Sequence, residues 1–176
     1  MANQKLTDKT ALTEQAGSGD LLMVVDVSDT SSSAQGTSKK MDFKYVIQTD
    51  KFSLSNAEIQ ALDSSPKTLV GALSGYMVTP ISVTVLVTYA SSTESSNNNL
   101  YFGFDTTNDT IYWATSSRFM GTKTTDRTYI FSAAQATHGV KGSSILNTAF
   151  SMWSNGAFNG GWSADVYVTY AYTKVL

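Results

Sequence analysis

His138 is the sole histidine of a 176-residue chain that has no cysteine. An imidazole acts as general acid or base only when a carboxylate or hydroxyl is brought beside it. His138 lies in the loop-like stretch Ala136-Thr137-His138-Gly139 and is read as an ordinary loop histidine. The lack of cysteine excludes disulfides, thiolate zinc sites and cysteine nucleophiles. No G-x-S-x-G elbow occurs, and Gly17-Ser18-Gly19 is too short and precedes a strand. Gly139-Val140-Lys141-Gly142-Ser143-Ser144 lacks the Walker spacing and reads as a turn. Asp20, Asp26 and Asp29 form the one acidic cluster, but calcium loops space their carboxylates differently. Asp20 and Asp29 are read instead as turn residues on either side of a strand. Glycosidic bond cleavage needs paired carboxylates, and Glu94, Asp105, Asp109, Asp126 and Asp165 are not locally paired. No enzyme, no cofactor and no metal is expected. Asn108-Asp109-Thr110 fits a glycosylation sequon, which has no meaning without a secretory route.

Aromatic side chains are the richer group: Tyr101, Phe102, Phe104, Tyr112, Trp113, Trp153, Trp162, Tyr167, Tyr170 and Tyr172. Most are expected in a core or a subunit contact. Tyr and Trp rings can also stack on sugar rings or anchor an interface, because they offer large area at small entropic cost. Trp162, in Asn159-Gly160-Gly161-Trp162, has flanks that read as a loop and is the candidate for exposure. With Asn97, Asn98 and Asn99 it forms the candidate sugar contact.

The composition says which elements position these groups. Apolar residues make up 41% and charged residues only 15%, against about 25% charged in an average domain. Ser, Thr and Asn take the place of the missing charge, which suits strands better than helices. The net charge is −2, and no basic run exceeds Lys39-Lys40, so no nucleic-acid partner is expected. The start, Met1 to Thr10, is polar and without an apolar h-region, so no signal peptide is expected. The longest apolar stretch, Leu21 to Val25, is far too short for a membrane span. A route out of a cell by lysis, inside an assembled particle, fits these features.

Along the chain, an attachment segment is read over residues 1–48, a junction over 49–55 and a β-domain over 56–176. Leu21 to Val27 reads as one buried strand, short, apolar and β-branched. Lys39 to Ile47 reads as a short strand, with Met41 and Phe43 on one face, entering a helical turn at the spacing of Phe43, Val46 and Ile47. One good strand cannot bury enough surface, so the segment is expected to dock on a copy or a partner. Ile81 to Tyr89 alternates with Ile81, Val83, Val85, Val87 and Tyr89 on one face. Asp165 to Tyr172 alternates with Val166, Val168, Tyr170 and Tyr172 on one face and Tyr167 and Ala171 on the other. Shorter strands are read at Thr68 to Ala72, Leu100 to Phe104, Ile111 to Ala114, Tyr129 to Phe131 and Ala149 to Trp153. Ser55-Asn56-Ala57-Glu58 opens a helical stretch to Leu62, with Ser55 as cap and Glu58 closing a capping box. The fold class expected is all-β: an antiparallel β-sandwich or jelly-roll-like domain after a small N-terminal segment.

Thr10-Ala11-Leu12-Thr13, then Gly19-Asp20-Leu21-Leu22-Met23-Val24-Val25-Asp26-Val27-Ser28-Asp29-Thr30, then Gly36-Thr37-Ser38-Lys39-Lys40-Met41-Asp42-Phe43, resembles the opening segment of many bacteriophage head-fibre and tail-fibre proteins. The resemblance covers about the first quarter of the chain. It implies a virion structural protein whose N-terminal segment binds a capsid or tail protein, repeated in each chain of a homotrimer. Leu21, Leu22, Val24, Val25, Met41 and Phe43 are then the candidate attachment residues. Ile59 to Pro66, Thr68 to Val70, Pro80 to Ser82, Trp153 to Gly156 and Asp165 to Tyr170 are similar to small β-domains of phage virions, and no catalytic residue is transferred. A long fibre needs a shaft of repeats or coiled coil, which this chain lacks, so a short fibre, a knob or an adaptor is implied. Tyr167 and Ala171 are the candidate trimer contact. The alternative is a receptor-binding tip recognising host surface glycan through Trp162 and Asn97 to Asn99.

Overall fold

The computed structural model describes residues 21–42, 46–107, 110–115, 118–132 and 145–175. Two compact units divide between Val46 and Ile47.

In the first unit, β1 (Leu21–Asp26) pairs antiparallel with β2 (Thr37–Asp42), Leu21 opposite Asp42 and Asp26 opposite Thr37. Hydroxyls and carboxylates close the connection locally. Asp26 Oδ1 accepts the Ser28 N–H at 3.0 Å, and Asp29 Oδ1 accepts the Ser31 N–H at 3.0 Å. The Thr37 hydroxyl donates to the Asp29 carbonyl at 2.8 Å. Gly36 adopts φ +115°, and a Cβ there would lie 2.7 Å from the Asp26 carbonyl oxygen, so only glycine fits. The strand expected over Leu21 to Val27 is present, but it is not buried. Leu21 is 55% exposed, Met23 68% and Val25 57%. A two-stranded ribbon has no second layer of its own to cover an apolar face. Of the helical turn expected over Phe43, Val46 and Ile47, Phe43 lies outside the described residues, and Val46 and Ile47 form a bend and an irregular residue before Gln48, not a helix.

The second unit is an all-β sandwich. Its elements are β3 (Gln48–Leu54), α1 (Asn56–Gln60), β4 (Lys67–Val70), β5 (Tyr76–Tyr89), β6 (Leu100–Phe104), β7 (Ile111–Ala114), β8 (Arg127–Ser132), β9 (Phe150–Ser154) and β10 (Trp162–Lys174). Two four-stranded antiparallel sheets form, in the orders β3-β10-β5-β8 and β4-β9-β6-β7. Val83, Val85, Val166 and Val168 of the first meet Leu100, Phe102, Phe150 and Met152 of the second in one core. Phe102 on β6 and Phe131 on β8 sit 4.9 Å apart between ring centres and tie the layers together. Complete burial of one such ring contributes roughly 1.5–3 kcal/mol.

Residues 49–55, read as a junction, are corrected: Thr49 to Leu54 belong to β3, whose Gln48 to Leu54 pair with Tyr170 to Ala164 of β10. The alternation read along Ile81 to Tyr89 is also broken at one point. Thr169 faces Ser82 but Tyr170 faces Pro80, so Ile81 is bulged out of register. Val78 and Pro80 are buried before the bulge and Val83, Val85 and Val87 after it, while Ile81 is half-buried. The bulge is also where a proline is tolerated in a central strand.

The expected capping box is present. Ser55 Oγ accepts the Glu58 N–H at 3.4 Å, and the Glu58 carboxylate accepts the Ser55 N–H at 2.9 Å. The helix it starts places Asn56 Nδ2 2.7 Å from the Gly160 carbonyl and 3.0 Å from that of Trp162.

Candidate functional site

Three loops of the sandwich are bound to one another around Glu94, which is 1% exposed. Its Oε2 accepts the N–H of Asn159 at 2.9 Å and of Gly160 at 2.8 Å; its Oε1 accepts the Ser96 N–H at 2.9 Å. Its carbonyl accepts the Thr122 N–H at 3.1 Å. Burial acts to raise the carboxyl pKa, but the hydrogen bonds from Ser96, Gly160 and Asn159 outweigh it and hold the group below its usual value. A carboxylate held by three backbone amides is a structural anchor, not a proton shuttle.

The same loops carry the candidate sugar contacts, which the structure assigns as follows. Asn98 Nδ2 donates to the Ala157 carbonyl at 2.8 Å, and the Asn98 carbonyl accepts the Phe119 N–H at 2.9 Å. The Asn99 N–H donates to Asn155 Oδ1 at 2.7 Å. Asn97 is exposed. Trp162 is corrected: it opens β10 and is 2% exposed, with its ring centre 5.0 Å from Phe119 and 5.5 Å from Phe158. The neighbouring glycines mark close packing, not an exposed loop. A Cβ on Gly160 would lie 2.6 Å from Trp162 Nε1. The 91–99 and 154–161 loops are thus brought together, but the indole lies beneath them and offers no stacking face.

Tyr167 and Ala171 are half-buried on the outer side of β10, opposite buried Val166, Val168 and Tyr170. Lys51 on β3 lies 5.6 Å from the Tyr167 ring centre and 2.9 Å from Asp165 Oδ2, and Ser53 donates to Asp165 Oδ1 at 2.6 Å. On the inner side, the Tyr170 hydroxyl is 2.8 Å from Gln48 Oε1 and 2.9 Å from Asp50 Oδ2. Burial first, then Asp50, pushes this phenol well above its ordinary pKa.

Of the candidate attachment residues, Leu21, Leu22 and Val25 are exposed, Val24 and Met41 are half-buried, and Phe43 lies outside the described residues. Lys39 reaches Asp26 at 2.8 Å and Asp29 at 2.9 Å. Its ammonium group holds both carboxyls below their ordinary range, that of Asp29 at about 2. Asp20, His138, Asn108-Asp109 and Gly139 to Ser144 also lie outside the described residues.

A cleft of about 320 Å³ lies beside α1, with Leu54, Ala57, Leu62 and Pro66 in its lining. The Lys67 ammonium and the Glu58 carboxylate, 3.4 Å apart, also border it. Among the described residues no group of three His, Cys, Asp or Glu could hold a metal ion, and no helix is long and apolar enough to cross a membrane. Sequence reasoning had no local signal for the pairing of Glu94 with Asn159 and Gly160, 65 and 66 residues away, or for the Tyr170 cluster, whose partners lie 120 and 122 residues away. No family model matches the chain, and no curated protein matches it.

Proposed function

We propose that this chain is a non-enzymatic structural protein of a bacteriophage particle, a short head- or tail-attached fibre or knob that forms a homotrimer. The observation that carries this reading is the exposed apolar strand β1 of the two-stranded ribbon, with Leu21, Met23 and Val25 turned outward. Such a ribbon is marginal in water by itself and gains stability by laying its apolar side chains on another surface. The second unit, with its own core, is the part suited to project from the particle. Glycan recognition by a receptor-binding tip is the weaker alternative, because Trp162 is enclosed in the core.

Purified particles carrying a tagged copy test the reading. The expected result is the tagged chain in the virion fraction, lost when residues 1–46 are deleted while the remaining unit stays soluble. Absence of the full chain from purified particles would overturn it.

A further inference from the structure

We propose that the outer face of the β3-β10-β5-β8 sheet is where copies of this chain meet. This inference rests on the self-assembling reading above and names the surface that carries it. Register lines up Lys51, Tyr167, Thr84 and Ile130 across the four strands, and beside them Ser53, Asp165, Leu86 and Thr128. Ile130 is 62% exposed and Leu86 39%, so the middle of β5 and the edge strand β8 present aliphatic side chains to water next to a tyrosine.

Charge points to a second copy as the occupant. Among the described outward positions of these strands, the charged side chains are Lys51 and Asp165, paired with each other at 2.9 Å. The neighbouring polar positions, among them Thr84, Thr128 and Thr169, carry hydroxyls. A face that meets its own copy brings each charge near its own kind unless the charges are balanced within the face. This face is balanced by that one pair, and depletion of charge is the composition of an interface centre.

Area agrees in order of magnitude. β5 and β10 run 14 and 13 residues, about 43 Å at ~3.3 Å per residue. With strands ~4.8 Å apart, they and their shorter flanks present roughly 600 Å², close to the roughly 800 Å² that each partner contributes to a standard interface. Tyr167 and Ala171 then belong to a contact that extends across the sheet to Leu86 and Ile130.

Light scattering of the full-length chain, with a dilution series, tests this. The wild type should show a multiple of 18.9 kDa. Ile130→Lys should weaken association about 30-fold, the loss of one hot-spot side chain, with an unchanged far-ultraviolet circular dichroism spectrum. Leu86→Lys, on the neighbouring strand of the same face, is the second variant should the first misfold. Met23→Lys on the ribbon should leave the mass unchanged. An oligomer that survives both sheet variants and dissociates on Met23→Lys would overturn the inference while the fibre reading stands. A monomeric wild type at every concentration would overturn this inference and the homotrimer with it, whereas incorporation into particles is read separately.

Discussion

The carboxylate of Glu94 accepts the backbone N–H of Gly160 at 2.8 Å across 66 residues of sequence, and the Asn159 and Ser96 amides converge on the same side chain. Buried backbone donors left without an acceptor cost about 1–3 kcal/mol each. Glu94→Gln keeps one carbonyl acceptor but turns an NH₂ toward those donors. It should lower the unfolding free energy by about 2–4 kcal/mol, measured by denaturant titration at pH 7. The pH dependence has a definite sign. The folded carboxyl lies below its ordinary value of 4.5, so its contribution is complete above that pH and fades as pH falls through the lowered folded value. The gap between wild type and variant should therefore narrow in melts run below pH 4.5. A gap independent of pH would show that Glu94 is not held as a carboxylate.

Gly160 is required by the indole it touches. A Cβ there would sit 2.6 Å from Trp162 Nε1 and 3.1 Å from the Glu94 nitrogen. Gly160→Ala should cost about 1–3 kcal/mol, the range for overpacking a filled core. It should also shift tryptophan emission to longer wavelength as the ring moves. Unchanged emission and stability would mean that the 154–161 loop yields without strain.

Phe119 joins this end of the molecule to β8. Its ring lies 4.6 Å from that of Tyr129 and 5.0 Å from that of Trp162 between centres, and it is 1% exposed. Phe119→Ala should lower stability by about 3–5 kcal/mol, read by chemical denaturation. A loss below about 1 kcal/mol would imply that the surrounding rings collapse into the space.

In the ribbon, the Ser28 and Ser31 amides donate to the carboxylates of Asp26 and Asp29, each of which also meets Lys39. Both folded carboxyls lie below their ordinary value, with Asp29 at about 2. The Asp29 contact should then be complete above the ordinary carboxyl range near pH 4 and be lost as the pH drops through 2, while the Asp26 contact, whose carboxyl is held lower still, should last to lower pH. Amide signals of Ser28 and Ser31 followed by nuclear magnetic resonance between pH 6 and 2 give the check. Movement of both signals near pH 4 would mean that the carboxylates are not engaged by Lys39.

What was legible in the sequence was mostly what local pattern controls. The limits of β6 and β7 and the capping box at Ser55 agree with alternation and capping rules. β3 escaped because two of its inward positions, Gln48 and Asp50, are polar and find their partner in Tyr170. A strand whose core face carries an amide and a carboxylate has no apolar period to read. Trp162 was misread because glycines signal turns and tight packing alike, and only the distance to its ring separates the two. The apolar run of β1 identified a strand but could not say whether a second layer covers it.

The Tyr170 cluster gives the reverse pH dependence to Glu94. Its hydroxyl is within hydrogen-bond distance of Gln48 and Asp50 at the β3–β10 pairing, and burial followed by Asp50 holds its pKa above the ordinary value of 10.0. The raised value means that its contribution is complete below pH 10 and is lost as pH climbs toward the folded pKa, because the unfolded chain ionises first. Of the nine tyrosines, this one should titrate only as the sandwich opens. Absorbance at 295 nm during alkaline titration should contain a component coincident with loss of the near-ultraviolet circular dichroism signal, and Tyr170→Phe should remove it. At neutral pH the same substitution leaves Asp50 and Gln48 without their donor and should lower stability by about 1–3 kcal/mol. If the coincident component persisted in Tyr170→Phe, another tyrosine would carry it and Tyr170 would ionise freely.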